Sequence, residues 1–407
     1  MIRASIPRCG GFPMLRERTS RRVRVLGDGC AGLSLALRAA DLGAHDLTLV
    51  RPRGAPAPAD HIWGFWDGPD MPSPVATARG LARASWERWA IITDDGGVVM
   101  QSTTRKYAAL RRLDWTRHCE IAARQAGVRI AESEEGPGDS TADAEGDAAG
   151  DAVGDAVGEA ADLVFDSRPP AVPDGIMLQH FIGLEVRSSH PVFDAGTAIL
   201  VDFRVDQSRG MHFIYLLPFS ATEALVESTL FTPSVCPESY YRGEIAAYLE
   251  AHFGLDEFET LRTERGVIPL GILPRRDPSI PGVGGNGGAI RPSSGYAFPF
   301  IQKQIDRAIA AACEGRELGF AVPHRRVDLW MDAVLLTVLR HWPERAPELF
   351  LRMGRALDGD EFARFLSGEA DWPLRLKVIM AMPKAPFLRG LVRLLAGSRP
   401  QRTAEAG

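Results

Sequence analysis

The segment from residue 23 to residue 50 constrains the fold more than any other part of this chain. After Val23, a short apolar strand over 24–26 runs into Gly27-Asp28-Gly29-Cys30-Ala31-Gly32. An apolar helical stretch over 33–42 follows, closed by Gly43, and then a second strand over 47–50. A strand, glycine turn, helix and strand with GxGxxG spacing is the unit that cradles a dinucleotide, although an ordinary glycine-rich turn shares the pattern. Gly27 permits the tight turn, Gly29 lets backbone approach a pyrophosphate, Gly32 lets helix and strand pack closely, and the helix N-terminus offers N–H donors and its dipole. Two residues depart from the ideal. Arg51 stands where an acid would meet the ribose, and Asp28 puts a carboxylate beside the pyrophosphate position, so the dinucleotide type stays open on the motif alone.

A chain of 407 residues holds two intertwined domains or one large one. Its 45% hydrophobic and 24% charged residues exclude global disorder, and it has no apolar run long enough to cross a bilayer. Five cysteines without CxxC spacing argue against a zinc site or a disulfide framework and fit a reducing compartment. The net charge of −5 is uneven: residues 132–162 carry eleven acids and no Lys or Arg, leaving 47 basic against 41 acidic side chains elsewhere. That acidic tract, GDAAGDAVGDAVGEA in part, lacks the apolar surface to offset its ordering entropy and matches no calcium loop. We expect a disordered extension over 1–22, a discontinuous nucleotide domain over 23–131, 163–175 and 275–315, and a low-complexity insertion over 132–162. A β-rich substrate domain over 176–274 and a helical region over 316–407 complete the expectation.

Three further stretches carry candidate chemistry. His61-Ile62-Trp63-Gly64-Phe65-Trp66 concentrates rings that suit either a core or the wall of an apolar pocket able to stabilise a cation. Glu227 lies in the apolar strand Leu225-Val226-Glu227-Ser228-Thr229; facing inward it is a proton donor raised in pKa by desolvation, whereas strand alternation alone favours the surface. The run Gly284 to Tyr296 is a glycine-rich loop entering a helix, with Arg291 available to a phosphate, an acid or a structural ion pair.

Taken together, the motifs resemble the bacterial flavoprotein-type lycopene β-cyclase family. The resemblance rests on GDGCAG, HIWGFW, FDSRP (165–169), QHFIGLEV (179–186), VDFRV (201–205), FIYLLPFSATEALVESTLF, ERGVIPLGILP (264–274), GGAIRPSSGY and FARFLSG (362–368), in order along nearly the whole chain. It implies an α/β fold: an FAD-binding Rossmann-like parallel sheet interleaved with an antiparallel-sheet substrate domain of aromatic-hydroxylase type, and an α-helical C-terminal region. It implies FAD, kept reduced by NAD(P)H, with Gly27, Gly29 and Gly32 at the pyrophosphate and Gly288, Arg291 and Gly295 near the flavin ring. Glu227 becomes the catalytic acid, His61, Trp63, Phe65, Trp66 and Tyr296 the substrate lining, and no metal is involved. The implied reaction is redox-neutral closure of the ψ-ends of lycopene and related carotenoids to β-ionone rings, giving γ- or β-carotene. Ser228 stands where family members often carry a second acid, which leaves the deprotonating group open.

A hydrocarbon substrate implies a membrane surface as partner, and the tail over 374–399 alternates apolar residues with Arg and Lys without one acid, as an interfacial helix does. The corresponding expectation is a cytoplasmic enzyme held peripherally on the inner face of the cytoplasmic membrane, with no nucleic-acid partner. Two other readings remain: a flavin-dependent monooxygenase or reductase acting on an apolar lipid, and a non-catalytic carotenoid-binding relative.

Overall fold

The computed structural model describes residues 21–43, 45–54, 59–133 and 161–397. The N-terminal extension and nearly all of the acidic insertion lie outside them. At their borders, Arg22 already belongs to the first strand and Asp162 accepts a hydrogen bond from its N–H at 2.7 Å.

The glycine motif sits on a parallel sheet of β1 (Arg22–Leu26), β2 (Asp46–Arg51), β8 (Arg129–Glu132) and β9 (Leu163–Asp166), in the order β8-β2-β1-β9. The strands bury Val23, Val25, Leu47 and Leu49, as expected of strands covered by helices. Helix α1 (Cys30–Leu37) starts inside the motif and gives way to one turn of 3-10 helix at Ala39–Leu42, so the single helix expected over 33–42 is two pieces. The change falls at Arg38, whose guanidinium is held by Asp41 and, at 3.2 Å, by Asp306. Helices α3 (Arg112–Gln125) and α5 (Phe298–Cys313) pack on α1.

A seven-stranded sheet forms the second layer, in the order β14-β10-β13-β12-β11-β5-β6. Its members are β5 (Arg88–Thr93), β6 (Gly96–Gln101), β10 (Met177–Arg187), β11 (Thr197–Asp202), β12 (Met211–Pro218), β13 (Glu223–Thr232) and β14 (Glu259–Leu270). The first two come from within 23–131, so the substrate sheet draws on more of the chain than 176–274. One face carries Ile182, Leu184, Ile214, Val226 and Leu230 against α4 (Glu238–Phe253). The opposite face meets a three-stranded sheet, β3 (Ile62–Asp67), β7 (Lys106–Arg111) and β4 (Ala84–Trp86), and C-terminal helices. Helix α2 (Ser73–Leu81) packs on β3 and β7.

The C-terminal third is helical, as expected: α6 (Arg326–His341), α7 (Ala346–Ala356), α8 (Gly359–Leu366), α9 (Trp372–Ala381) and α10 (Lys384–Gly397). The tail is not one amphipathic helix, because Pro383 follows Met382 and cannot donate to a helical ladder. Nor is its basic face all exposed: Arg375 is fully buried and forks onto Asp328 of α6 at 2.7 and 3.0 Å. Among the described residues, the thiols of Cys30, Cys119 and Cys236 are free.

Candidate functional site

The glycine turn has the shape its spacing predicts. Gly27 adopts φ +96°, and its N–H donates to Val50 O at 2.8 Å, tying the turn to β2. A Cβ at Gly32 would lie 2.4 Å from Gly27 O, and one at Gly284 2.3 Å from the Cβ of Ala31, so side chains at either position would push the turn off α1. Around Gly29 the space is open, no side chain caps α1, and no acid stands in its first turn. These are the features of an anion cradle. The two departures in the motif account for one another: Arg51 pairs with Asp28 and, at 2.8 Å, with Glu120 of α3. The guanidinium neutralises the Asp28 carboxylate and is shared with Glu120.

The second glycine loop differs from expectation at one residue. Gly288 and Gly295 take φ +75° and +67°, as a loop pressed close to a flat group needs. Arg291, expected near the cofactor, instead forms a buried pair with Asp332 of α6 at 2.6 Å, and Ser293 donates to the same carboxylate. It anchors the loop to the helical region. Tyr296 leaves the loop for the sheet interface.

The aromatic run does not build one wall. Strand alternation sends Trp63 and Phe65 towards Phe298 of α5, at ring separations of 5.5 and 5.3 Å, while Trp66 points the other way against Trp89, Tyr107, Tyr296 and Phe362. Burial pushes the His61 imidazole down to about 4, so at neutral pH it is uncharged. Trp63 Nε1 donates to His61 Nε2 at 2.9 Å.

Glu227 faces inward. It is 7% exposed, on the face of β13 turned to the small sheet, and Thr229 donates to its Oε1 at 2.6 Å. Desolvation, and then the Glu264 carboxyl nearby, push its pKa up to about 8. No ion pair engages it, so it is a neutral acid at pH 7. Register places Tyr215 of β12 opposite Glu227, and the Tyr215 hydroxyl meets that of Tyr107 at 2.8 Å, which meets that of Tyr296 at 3.2 Å. Burial raises all three phenols well above their ordinary value, so they stay protonated. The cluster fits because β3 has no side chain at Gly64: a Cβ there would lie 1.9 Å from Tyr107 Oη and 2.8 Å from Tyr215 Oη.

Tyr107, Tyr215 and Glu264 were not singled out in the sequence. The available signal was glycine inside apolar strands, Gly64 in HIWGFW and Gly183 in QHFIGLEV, which marks close approach of a neighbour. Among the described residues no His, Cys, Asp and Glu cluster suits a metal ion.

A family model described as "Lycopene cyclase protein" matches residues 23–392. A lycopene beta-cyclase of Paracoccus sp. is 25% identical over 404 residues, covering 90% of this chain and 95% of that protein. One of Pantoea ananas is 25% identical over 252 residues, covering 59% and 66%. Among solved structures, a geranylgeranyl bacteriochlorophyll reductase-like protein of Thermoplasma acidophilum aligns with TM-score 0.57 at 14% identity, over 92% of this chain and 99% of that one. FqzB aligns with TM-score 0.52 at 15% identity, over 96% and 97%. At such identity these two structures speak to the fold alone.

Proposed function

Because this chain belongs to the lycopene cyclase family, we propose that it closes the ψ-ends of lycopene and related carotenoids to β-ionone rings, giving γ- or β-carotene. One observation carries the reading. Glu227 is a buried carboxylic acid that keeps its proton at neutral pH, beside aromatic rings and away from any cation. The chemistry asks for that. Protonation of the terminal alkene gives a tertiary carbocation, the neighbouring double bond attacks it to close a six-membered ring, and loss of a proton restores neutrality. Glu227 donates the first proton: burial keeps that proton in place at neutral pH, and the dry site strengthens the attraction between the cation formed and the carboxylate left behind. The rings of Trp66, Tyr107, Tyr215 and Tyr296 exclude water and turn π-electron density to the cation.

The cradle formed by Gly27, Gly29, Gly32 and the uncapped start of α1 suits the pyrophosphate of FAD, with the turn Gly284–Gly287 packed against it. Reduced FAD, when bound, supplies negative charge that favours a nearby carbocation, and NAD(P)H is the reductant this reading assigns. Lycopene lies in bilayers, so the enzyme works at a membrane surface, on the cytoplasmic side. No described helix is long and apolar enough to cross a bilayer. Leu388, Val392 and Leu395 of α10 are each at least 60% exposed, with Arg389 and Arg393 alongside, which suits an anionic interface.

The test is chromatography of pigments from a lycopene-accumulating bacterial host expressing the chain. Wild type yields γ- or β-carotene, and Glu227→Gln at equal expression leaves lycopene. Lycopene persisting with well-expressed wild type would overturn the reading.

A further inference from the structure

Four neighbouring strands put four residues in one row on the inner face of the large sheet. Gly183 of β10 pairs with Glu264 of β14 on one side and Glu227 of β13 on the other, and Glu227 pairs with Tyr215 of β12. Directly opposed residues in antiparallel strands point to the same face, and two strand spacings part the backbones of the two glutamates by roughly 10 Å. Gly183 leaves that gap open. A Cβ at Gly183 would lie 2.9 Å from Cγ of Glu264 and 3.1 Å from Cδ1 of Leu225, so the Glu264 side chain leans over the glycine towards the strand of Glu227, beside Leu225. One Glu264 oxygen, Oε2, accepts from Arg262 Nη2 at 2.8 Å and from Ile62 N at 3.2 Å. The other, Oε1, is buried and has no partner. Glu264 itself is 3% exposed.

We propose that Glu227 and Glu264, brought together over Gly183, are the two ends of one proton cycle, Glu227 giving its proton to the alkene and Glu264 taking the proton that the closed ring loses. This inference rests on the cyclase reading above and fills the role left open by Ser228. Ser228 points to the opposite face, where His212 Nε2 meets its hydroxyl at 2.8 Å, so the residue after the acid cannot serve. The cycle balances: one proton is added to carbon, one leaves carbon for a Glu264 oxygen, and its return to Glu227 resets the pair with no oxidant or reductant.

Surroundings set the direction. Two carboxyls whose environments push their acidities apart divide into acid and base. Glu227 is faced by the neutral hydroxyls of Thr229, Tyr107, Tyr215 and Tyr296 and by Glu264. Glu264 is faced by the Arg262 guanidinium and the Ile62 N–H, which favour its charged form, and by Asp60, which opposes it. Arg262 is in turn shared with Glu185 and Asp60. Desolvation raises both, and because only Glu264 has a guanidinium and a backbone N–H on its carboxylate, charge settles there and the shared proton on the Glu227 side.

The experiment compares the pH profile of cyclisation by the flavin-loaded full chain in wild type, Glu264→Gln and Glu264→Asp. Expected are a bell for wild type and a loss of turnover on the order of 100-fold in Glu264→Gln with little change in KM. The acid limb should vanish, and the alkaline limb should move to lower pH, because the charge that raises Glu227 is gone. Glu264→Asp, which keeps a carboxylate beside Arg262, should recover at least part of the rate. Equal turnover in the Asp and Gln variants, at whatever level, overturns the proposal, as does a wild-type bell in Glu264→Gln. If wild type forms no ring at all, the cyclase reading has failed instead. Infrared titration of the Glu227 carboxyl then still tests the pair: its midpoint falls in Glu264→Gln if the two share a proton and stays put if they do not.

Discussion

At the scale of single residues, burial converts an ordinary glutamate into a neutral acid, and that has a stability consequence. Glu227 has its folded-state pKa raised to about 8 from 4.5. The folded chain therefore holds a proton that the unfolded chain has released between those values. The contribution is fully present below pH 4.5 and is lost as pH rises to 8, by up to about 1.4 kcal/mol per pH unit. Glu227→Gln, which needs no proton to stay neutral, should gain in Tm over wild type as pH rises from 5 to 8. Thermal melts of both proteins across that range check this, and parallel curves would show that Glu227 is ionised in the fold. How such residues could be found differs by residue. Periodicity alone puts Glu227 on the surface, because alternation cannot say which face of a sheet is covered. Resemblance to family motifs put it inside. Glu264, Tyr107 and Tyr215 gave no linear signal, since their proximity depends on strand register between segments far apart in the chain. Arg291 and Asp28 show the converse: each looked like a ligand-facing charge, and each is matched by a partner, Asp332 or Arg51, from another element.

At the scale of elements, the glycine-turn unit was readable because its signal is local, whereas the tail was readable only in part. Composition marks residues 374–399 as amphipathic and basic, but tertiary packing divides them. In α9, Leu374, Arg375 and Val378 are buried, Arg375 by its fork onto Asp328. Removing one member of such a pair leaves the other charge stranded, which costs about 3–5 kcal/mol, so Arg375 belongs to the fold and not to an interface. In α10, Phe387 packs against the core and both it and Leu391 are half-buried, although the sequence pattern points to these two as the residues that hold the chain on a membrane. Leu388 and Val392, 61% and 66% exposed, are the residues free to enter a bilayer. Leu388→Ser with Val392→Ser should reduce sedimentation with phosphatidylglycerol vesicles while leaving Tm unchanged, because neither side chain is buried. Unchanged sedimentation would remove α10 from the membrane surface.

At the scale of the molecule, the site lies where two sheets and a glycine-rich loop meet. The large sheet supplies Glu227, Glu264 and Tyr215, the small sheet supplies Trp66 and Tyr107, and the glycine-rich loop before α5 supplies Tyr296. The fold class was legible because a glycine turn, strand-like stretches and helical periodicity fall in separate blocks of sequence. The domain boundaries were less so, since β5 and β6 leave their block to extend the large sheet, and pairing across about a hundred residues has no local signature. The most direct measurement is a single turnover with enzyme in excess over lycopene, after both have equilibrated in D2O, followed by mass spectrometry of the pigment. A carboxyl proton that starts ring closure predicts one deuterium in the first ring closed by wild type, and no ring from Glu227→Gln. A ring closed without deuterium, or closed equally well by Glu227→Gln, would contradict it.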